Sequence, residues 1–422
     1  MSAPAAGGWR ATKFKFVGDI VAGGTPDSGN PAYWDGPVPW LTPVDLGKNG
    51  SDALSGSERT LTSVGVKAAG LDILPSGSIV ISTRAPIGSV GLLACEATTN
   101  QGCKAIVPVA RELDSKFAYY LATDTAPHLQ SLGLGTTFHE LSTHALKNVP
   151  LQLPSIQEQR FIAKYLDEHT EKIDRLIRLR RRQMELLREQ REALIQHAVT
   201  RGIDSHAALK MSGIPWIGDV PAHWAVKRLK FVTLRVDVGI AEAATHAYAD
   251  AGVPIVRSTN VRPNHLEVND LLFLEPWFAE KNRSKYLFAG DLVTTRTGNA
   301  GVSAVVPEEL DRCQCFTMLI STLVKNQSPD YFCYLLNSKS GGAYFQSAAW
   351  GAAQDNISVP ILKNMPIVEP PLREQLAIVQ YIRQESAKLD YLNSSYARQL
   401  VLLEEHRAAL IHESVTGRRR VG

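Results

Sequence analysis

The sequence has 422 residues, of which 44% are hydrophobic, and its formal net charge is +3. This composition is typical of a soluble globular chain of about three domains, and no apolar run approaches the ~20 residues that a membrane-spanning helix needs. A protein that simply coats DNA would be basic overall, so any binding of nucleic acid has to come from local patches. The five cysteines include no Cys-x-x-Cys pair. We therefore expect reduced thiols and a cytoplasmic protein, with neither disulfides nor a zinc site.

A stretch of about sixty residues occurs twice in this chain. Leu146 to Pro150 returns as Leu362 to Pro366, and Glu158-Gln159 returns as Glu374-Gln375, always 216 positions later. The segments that precede these repeats match more weakly, at an offset of 215 or 216. We interpret the pattern as an internal duplication in which a globular domain and a long helix are followed by a second domain and a second helix.

The repeated stretch predicts two long helices. Each copy opens with prolines and then continues without proline or glycine to Thr200 and to Thr416. At about 1.5 Å per residue, each run of roughly 45 residues would span nearly 70 Å. Apolar residues recur at intervals of seven, which is coiled-coil spacing, and we expect the helices to pack mainly on each other. The predicted seam consists of Leu166, Ile173, Leu187, Leu194, Ile382, Leu389, Leu403 and Leu410.

The remaining segments predict mixed, β-rich domains, so the fold class is α+β. Short apolar runs such as Ile79 to Ser82 are bounded by Gly, Pro and Asn, which is typical of strands and turns. The predicted boundaries are a first domain at 1–150, a first helix at 151–202, a linker and second domain at 203–366, and a second helix with a basic tail at 367–422.

The sequence offers no convincing catalytic site. Asn30-Pro31-Ala32-Tyr33 differs by one residue from the Asn-Pro-Pro-Tyr motif with which amino-methyltransferases hold a flipped base. However, no glycine-rich turn that would bind a methyl donor follows a predicted strand, and we interpret the motif as an Asn-Pro turn. Cys313 and Cys315 alone are too weak a signal for a metal site.

The globular segments do carry cationic and polar residues on glycine-rich turns. Arg pairs with guanine through two hydrogen bonds and Asn or Gln with adenine, while Thr, Lys and backbone N–H groups bind phosphates. Ordinary surface turns have a similar composition, so this reading and a purely structural one both stay open. The candidate DNA contacts are Arg84, Asn100, Gln101, Lys104, Thr136, Thr137, His139, Arg257, Asn260, Arg296, Asn299, Gln354 and Asn356.

The whole arrangement resembles the specificity subunit of type I restriction-modification systems. The resemblance covers the full chain, and its most specific segments are Pro39 to Leu46, Gly77 to Gly88, Gly213 to Trp224, and the Leu-Lys-Asn entry to each helix. One departure is that the second domain has no counterpart to the sequence Trp40 to Asp45. The two domains are therefore expected to read different DNA sequences.

The resemblance implies a non-catalytic subunit with two target recognition domains, each reading half of a split site in double-stranded DNA. The two helices would form an antiparallel coiled coil that separates the domains, gives a pseudo-twofold object and docks two methyltransferase subunits. No cofactor is expected in this chain, because S-adenosylmethionine would bind the methyltransferase subunits. Restriction subunits are a further expected partner in hosts that encode them. A single-chain DNA methyltransferase and a coiled-coil scaffold that binds only proteins are the alternative functions.

Overall fold

The computed structural model describes residues 8–48, 53–84, 87–131, 140–242, 245–349 and 356–421. They form two compact units. The first unit extends to Arg182 and resumes at Tyr396, and the second is Gln183–Ser395. Each long helix contributes residues to both units, so the unit boundaries differ from the predicted division into separate domains and helices.

The first unit is built on a four-stranded antiparallel sheet with the strand order Gly18–Ala22, Cys103–Pro108, Ile79–Ser82, Val90–Leu92. Ile79, Val80 and Ile81 are all fully buried, because both faces of this sheet are covered. Side chains alternate between the faces of a strand, so Ile79 and Ile81 join the core under the helix Ser115–Ser131, while Val80 joins a second core. The other strands are Arg10–Lys13, Trp34–Leu41, Thr60–Leu61, Thr98–Thr99 and Pro150–Leu153, and the short helices are Pro43–Lys48, Ser63–Ala68 and Thr143–Lys147.

The second unit repeats this sheet with the order Thr233–Val238, Leu319–Leu323, Leu292–Thr294, Ser303–Val305. Its other strands are Leu209–Met211, Asp219–Pro221, Ala225–Arg228, Tyr248–Ala249, Val253–Val256, Val261–Arg262, His265–Leu266, Leu272–Leu274, Gln314–Cys315 and Pro366–Glu369. Its shorter helices are Pro276–Lys281, Pro329–Asn337, Lys339–Ala349 and Val359–Asn364.

Smaller sheets in the two units also correspond. In the first unit Trp40 pairs with Thr98 in parallel, and in the second Ile255 pairs with Gln314 in parallel. Each position in one pair is 215 or 216 residues from its counterpart in the other. The duplication predicted from the helices is therefore confirmed in the sheets, where the sequence identity is weak.

The repeated Glu-Gln pairs fasten each long helix to its domain. Trp9 Nε1 donates to Glu158 Oε1 at 3.2 Å, and Trp224 Nε1 donates to Glu374 Oε2 at 2.9 Å. Gln159 is buried, and its amide donates to the Pro154 carbonyl at 3.1 Å. This network explains why Glu-Gln is retained in both copies, since a buried amide without partners would cost about 1–3 kcal/mol.

The two long helices that the sequence predicts are Ile156–Arg201 and Leu372–Val415. Each begins five residues after its predicted bound, because Pro150–Leu153 and Pro366–Glu369 are strands. Each is followed by a glycine with positive φ, Gly202 at +77° and Gly417 at +71°. Glycine adopts this left-handed conformation without a Cβ clash, so it ends a helix efficiently. A Cβ on Gly202 would also lie 3.1 Å from the Trp224 ring.

Contacts between the helices show that they run antiparallel. In the first unit Arg407 Nε lies 2.8 Å from Asp174 Oδ1, and Arg181 Nη2 lies 3.0 Å from Glu404 Oε1. The residue number rises along one helix while it falls along the other, as an antiparallel pair requires. In the second unit Arg191 lies 2.7 Å from Asp390. The duplication places this pair at the same repeat positions as Asp174 and Arg407.

The ends of the helices also belong to the cores of the domains. Leu166, Ile173 and Leu410 are buried in the first core, and Ile382 is buried in the second. Leu403 and Leu194 pack against these cores from their edges. Leu187 and Leu389 line one groove of the second unit. The antiparallel pairing is thus confirmed, and the helix ends pack on the globular cores in addition to packing on each other. No helix within the described ranges is long and apolar enough to cross a membrane.

Candidate nucleic-acid interface

Loops meet at one end of the four-stranded sheet in the first unit. The backbone N–H of Gly24 donates to Thr99 O at 3.0 Å, that of Thr83 to Gly102 O at 2.7 Å, and that of Leu141 to Thr83 O at 2.9 Å. We call this surface the first loop edge, and it comprises residues 23–25, 83–84, 99–102 and 140–141. It brings together the predicted residues Arg84, Asn100 and Gln101.

The side chains of the first loop edge divide into presented and anchoring groups. Arg84 and Gln101 are exposed, and the Thr25 hydroxyl donates to the Gln101 side-chain oxygen. Asn100 Oδ1 instead accepts from the Gly102 N–H at 2.9 Å and shapes the turn. Gln101 and Arg84 are therefore the predicted residues that this edge presents to solvent.

Charge at this edge is partly balanced from within. Arg84 Nε lies 3.2 Å from Glu140 Oε2. Lys104 is buried, and its Nζ donates to the Leu141 carbonyl at 2.8 Å and lies 3.5 Å from Glu140 Oε1. Burial lowers the pKa of Lys104, and the nearby Glu140 carboxylate opposes that effect. We therefore correct the prediction for Lys104 from a DNA contact to a support beneath the loops.

The second unit forms a corresponding surface. Ile240 N–H donates to Cys315 O at 2.8 Å, as Gly24 does to Thr99, and Ile357 N–H donates to Arg296 O at 3.0 Å. We call it the second loop edge, and it comprises residues 239–242, 248, 295–299, 315–318 and 356–357. The predicted residues Arg296, Asn299 and Asn356 lie on it.

Arg296 is held as Arg84 is held, but by a different acceptor. Its Nε donates to the Ile357 carbonyl at 3.2 Å, where Arg84 meets a carboxylate. Asn299 and Asn356 are exposed beside it. Among the described residues no carboxylate pairs with Arg296, so its charge is less balanced than that of Arg84, although its side chain is less exposed.

Asn260 is an anchoring residue, which corrects its predicted role as a base contact. Its side chain is buried, its Oδ1 accepts from Arg257 N at 3.0 Å, and its Nδ2 donates to Glu267 O and Asp270 O at 3.2 Å each. Arg257 Nη2 in turn lies 2.8 Å from Asp270 Oδ2. Both residues therefore stabilise the loop internally.

The segment Ile255 to Asn260 stands in place of Trp40 to Asp45, which has no sequence counterpart in the second domain, and Asn260 keeps one hydrogen bond of the first-domain segment. Asp45, 215 residues earlier, accepts from Thr42 N at 2.8 Å in the same way that Asn260 accepts from Arg257 N. The motif is lost in sequence while its hydrogen bond is kept.

Four of the predicted DNA contacts lie outside the described residues. They are Thr136, Thr137, His139 and Gln354.

Sequence reasoning missed several residues of the second loop edge. Phe316 and Thr317 occupy the place of Asn100 to Gly102, and the ring of Tyr248 meets that of Phe316 edge-on with centroids 6.3 Å apart. Tyr248 is 41% exposed. The constant repeat offset was the signal that would have found them, because it aligns the two loops even though their residues differ.

The Asn30-Pro31-Ala32-Tyr33 segment forms a capped turn. Asn30 Oδ1 accepts from the Ala32 N–H at 3.1 Å, and Pro31–Tyr33 is a single 3-10 turn. The asparagine amide is thus engaged locally. Among the residues that the structure describes, no cluster of three His, Cys, Asp or Glu could hold a metal ion.

Comparison with known proteins agrees with this geometry. Residues 7–185 match the family model described as the type I restriction modification DNA specificity domain. The chain is 26% identical over 426 residues to the type I restriction enzyme MjaIX specificity subunit of Methanocaldococcus jannaschii, with 98% of this chain and 94% of that protein covered. The chain is thus similar to type I restriction-modification specificity subunits along nearly its whole length.

Further specificity subunits and solved structures are also similar to this chain. The EcoKI specificity subunit of Escherichia coli K12 is 24% identical, over 68% of this chain and 62% of that protein. The fold matches a chain from a structural study of complex assembly and conformational transition of the type I R-M system, with a TM-score of 0.74 at 17% identity, covering 98% and 99% of the two chains. The HsdS subunit of Thermoanaerobacter tengcongensis has a TM-score of 0.51 at 17% identity, covering 98% of both chains.

The long helices of this chain expose a second apolar stripe apart from the seam. Leu176 and Leu186 of the first helix are 44% and 46% exposed. Their counterparts 216 residues later, Leu392 and Leu402, are 39% and 63% exposed. The duplication thus gives the protein two equivalent apolar stripes that the described residues leave open to solvent.

Proposed function

We propose that this specificity subunit reads a bipartite target in double-stranded DNA, with one half-site contacted by each loop edge. The observation that carries the proposal is the pair of equivalent surfaces built on one framework with different exposed side chains. A common framework would present both edges to DNA in the same manner. The different side chains would make the two half-sites different in sequence.

The chemistry of each edge suits direct reading of bases. Gln101 at the first edge offers the amide that pairs with adenine, and Arg84 offers a donor fork for guanine. The second edge combines Arg296 and Asn299 with the apolar surface of Tyr248 and Phe316, which suits the thymine methyl group. Sequence would then be read by these exposed groups, and anchoring residues such as Asn260 would act only through the shape of the loops.

The proposal includes docking of two methyltransferase subunits on the long helices. Leu176 and Leu186 are spaced by ten residues and lie on one helix face, at positions that a coiled-coil repeat would assign to a seam. Their repetition as Leu392 and Leu402 gives two equivalent surfaces, and two equivalent surfaces suit two copies of one partner. The proposal also includes restriction subunits as partners. It further includes a cytoplasmic location, because the five cysteines are all free thiols, which suits a reducing compartment.

We infer further that this chain does not itself transfer the methyl group. The engaged Asn30 amide supports this, because a base-gripping asparagine needs its side chain free for the flipped base. S-adenosylmethionine would then bind the methyltransferase subunits. Titration of the ligand into the isolated chain should give no binding, whereas the assembled complex should bind it. Binding by the isolated chain would favour the single-chain methyltransferase.

The test of DNA reading is the pattern of methylated sites. The chain would be co-expressed with the methyltransferase subunit from its own host, and methylated positions in the DNA would be mapped by sequencing. We expect one motif with two specified halves and an unspecified gap. A complex that assembles but binds no duplex and methylates nothing would favour a protein-binding scaffold.

A charge placed in the exposed stripe tests docking without disturbing the core. Leu176→Glu with Leu392→Glu should leave the chain folded, since both side chains are already partly in water, and should sharply reduce copurification of the methyltransferase subunits. Exposed Leu209, which lies on neither helix, provides the control as Leu209→Glu. Undiminished copurification of the double variant would refute the stripe as the docking surface.

A further inference from the structure

Each globular domain carries its own copy of an exposed surface that lies outside the loop edges and outside the helix stripe. Phe16 and Phe231 are 215 positions apart, and their side chains are 67% and 65% exposed. An exposed large apolar residue within a defined patch marks an interaction site more often than an isolated one does. Here it is retained in both copies, while the nearby loops have diverged.

Local backbone geometry directs each phenylalanine outward. Phe14–Phe16 and Leu229–Phe231 are single 3-10 turns, and the first residue of each turn is fully buried. With three residues per turn, side chains two positions apart point in directions about 120° apart. Because the side chain of the first residue points into the core, the side chain of the third residue points away from it, into the solvent.

Each phenylalanine carries a cation over its ring. Lys15 Nζ lies 5.1 Å from the centroid of Phe16, and Lys230 Nζ lies 5.4 Å from that of Phe231. Such cation–π contacts are attractive even at exposed sites. They hold the ring and the ammonium side by side, so that a partner would meet both together.

Two further cations belong to each pair: one is hydrogen-bonded to an asparagine, and the other is the lysine that directly precedes that asparagine in the sequence. Lys13 Nζ donates to Asn148 Oδ1 at 3.4 Å, and Arg228 Nη1 donates to Asn364 Oδ1 at 3.1 Å. We call these surfaces the Lys–Phe patches. The first consists of Lys13, Lys15, Phe16 and Lys147, and the second of Arg228, Lys230, Phe231 and Lys363.

The charge of the Lys–Phe patches is not balanced internally. Within the described ranges, none of the six cations forms an ion pair with a carboxylate, whereas Arg84 and Arg257 each do. Three cations around an exposed ring make a surface that fits an acidic rim around an apolar pocket.

The patches lie away from the loop edges. The strand Gly18–Ala22 separates Phe16 from the first loop edge at residues 23–25, and five residues of strand span about 16 Å. In the second unit the strand Thr233–Val238 separates Phe231 from Gly239 in the same way. A side chain at the far end of the strand is poorly placed to read the bases that the loop edge contacts.

We propose that each Lys–Phe patch docks one methyltransferase subunit, through an apolar pocket with an acidic rim on that subunit. The inference rests on the proposed function and adds a docking surface on each globular domain to the one on the helices. The two patches are equivalent in position and charge, so they fit two copies of one partner. A buried phenylalanine is the kind of anchor that dominates protein interfaces, whereas contact with phosphate needs only the cations.

The experiment measures assembly of the full chain with the methyltransferase subunit of its own system. Affinity is obtained by titration, and the number of bound subunits by the mass of the complex. Phe16→Ala or Phe231→Ala should weaken one of the two binding events about thirtyfold, and the double variant should weaken both, as expected for loss of an interface anchor. Lys15→Glu with Lys230→Glu should weaken both events and should reduce their dependence on salt.

Val64→Ala and Trp277→Ala are matched controls, because these side chains are 59% and 56% exposed and lie outside the patches. They should leave both binding events unchanged. Circular dichroism should show that all these variants are folded. Assembly of the double phenylalanine variant with wild-type affinity would overturn the proposal.

Two further outcomes are distinguishable. If the variants assemble normally but bind every duplex more weakly regardless of sequence, the patches contact DNA phosphates and the docking proposal is wrong. If the wild-type chain neither assembles with methyltransferase subunits nor binds DNA, the proposed function itself fails. A loss of assembly confined to the phenylalanine and lysine variants supports the patches alone.

Discussion

The two globular domains differ most where they would meet DNA and least where they hold the helices. Trp9 and Trp224 bond to equivalent glutamates, and the four-stranded sheets have the same strand order. At the loop edges, Asn100 and Gln101 of the first domain are replaced by Phe316 and Thr317 at the corresponding positions of the second. The comparison indicates that one framework has been kept to present two different reading surfaces.

Exchange of a whole domain gives the largest expected effect. Replacing residues 214–360 with the matching segment of a relative should change one half of the methylated motif and leave the other half and the gap intact. The reason is that the first loop edge is built from residues 23–141 alone. Sequencing of methylated sites provides the measurement. A change in both halves, or in neither, would show that the domains do not read independently.

Trp9 and Trp224 test whether equivalent tryptophan–glutamate hydrogen bonds contribute equally to the stability of their domains. Trp224 is 1% exposed, whereas Trp9 is only partly buried. Trp224→Ala should destabilise the second domain by roughly 4 kcal/mol, and Trp9→Ala should destabilise the first by roughly 2 kcal/mol, because less apolar surface is lost. Hydrogen exchange resolved by domain would measure both. Equal losses would mean that the hydrogen bond to the glutamate outweighs burial.

How far the sequence could predict this arrangement depends on the range of the interactions. The long helices follow from local spacing and punctuation, and the constant offset of the repeat places Asp174 with Asp390 and Arg191 with Arg407 at matched positions. Which loops converge depends on strand pairing between distant segments, which no local pattern specifies. The burial of Lys104 and the hydrogen bond that Asn260 shares with Asp45 were for that reason not predictable from residue type.

Two equivalent ion pairs between the helices, Asp174–Arg407 and Asp390–Arg191, sharpen the comparison further. The side chains of Asp174 and Arg407 are 14% and 19% exposed, against 57% and 44% for Asp390 and Arg191. Removing one partner of a largely buried pair leaves a poorly solvated charge, so Asp174→Asn should cost about 3 kcal/mol. Asp390→Asn should cost about 0–1 kcal/mol, because water solvates the exposed pair. Denaturant unfolding of the two variants would show the difference, and equal costs would contradict the role of burial.

Single substitutions at the loop edges give the smallest and most specific effect. Gln101→Ala should relax one base position in the first half-site, since one pairing by an amide contributes about 1–3 kcal/mol of discrimination. Tyr248→Ala should relax a position in the second half-site only, through loss of its apolar surface. Both side chains are exposed, so stability should change by less than about 0.5 kcal/mol. The frequency of each base at each motif position, compared with wild type, provides the readout.

The anchor Asn260 supplies the contrast. Asn260→Ala should loosen the loop and weaken the entire second half-site, because it removes hydrogen bonds to Arg257, Glu267 and Asp270 without removing a base contact. If Asn260→Ala instead relaxed a single base, Asn260 would be a reader and its assignment as an anchor would be wrong.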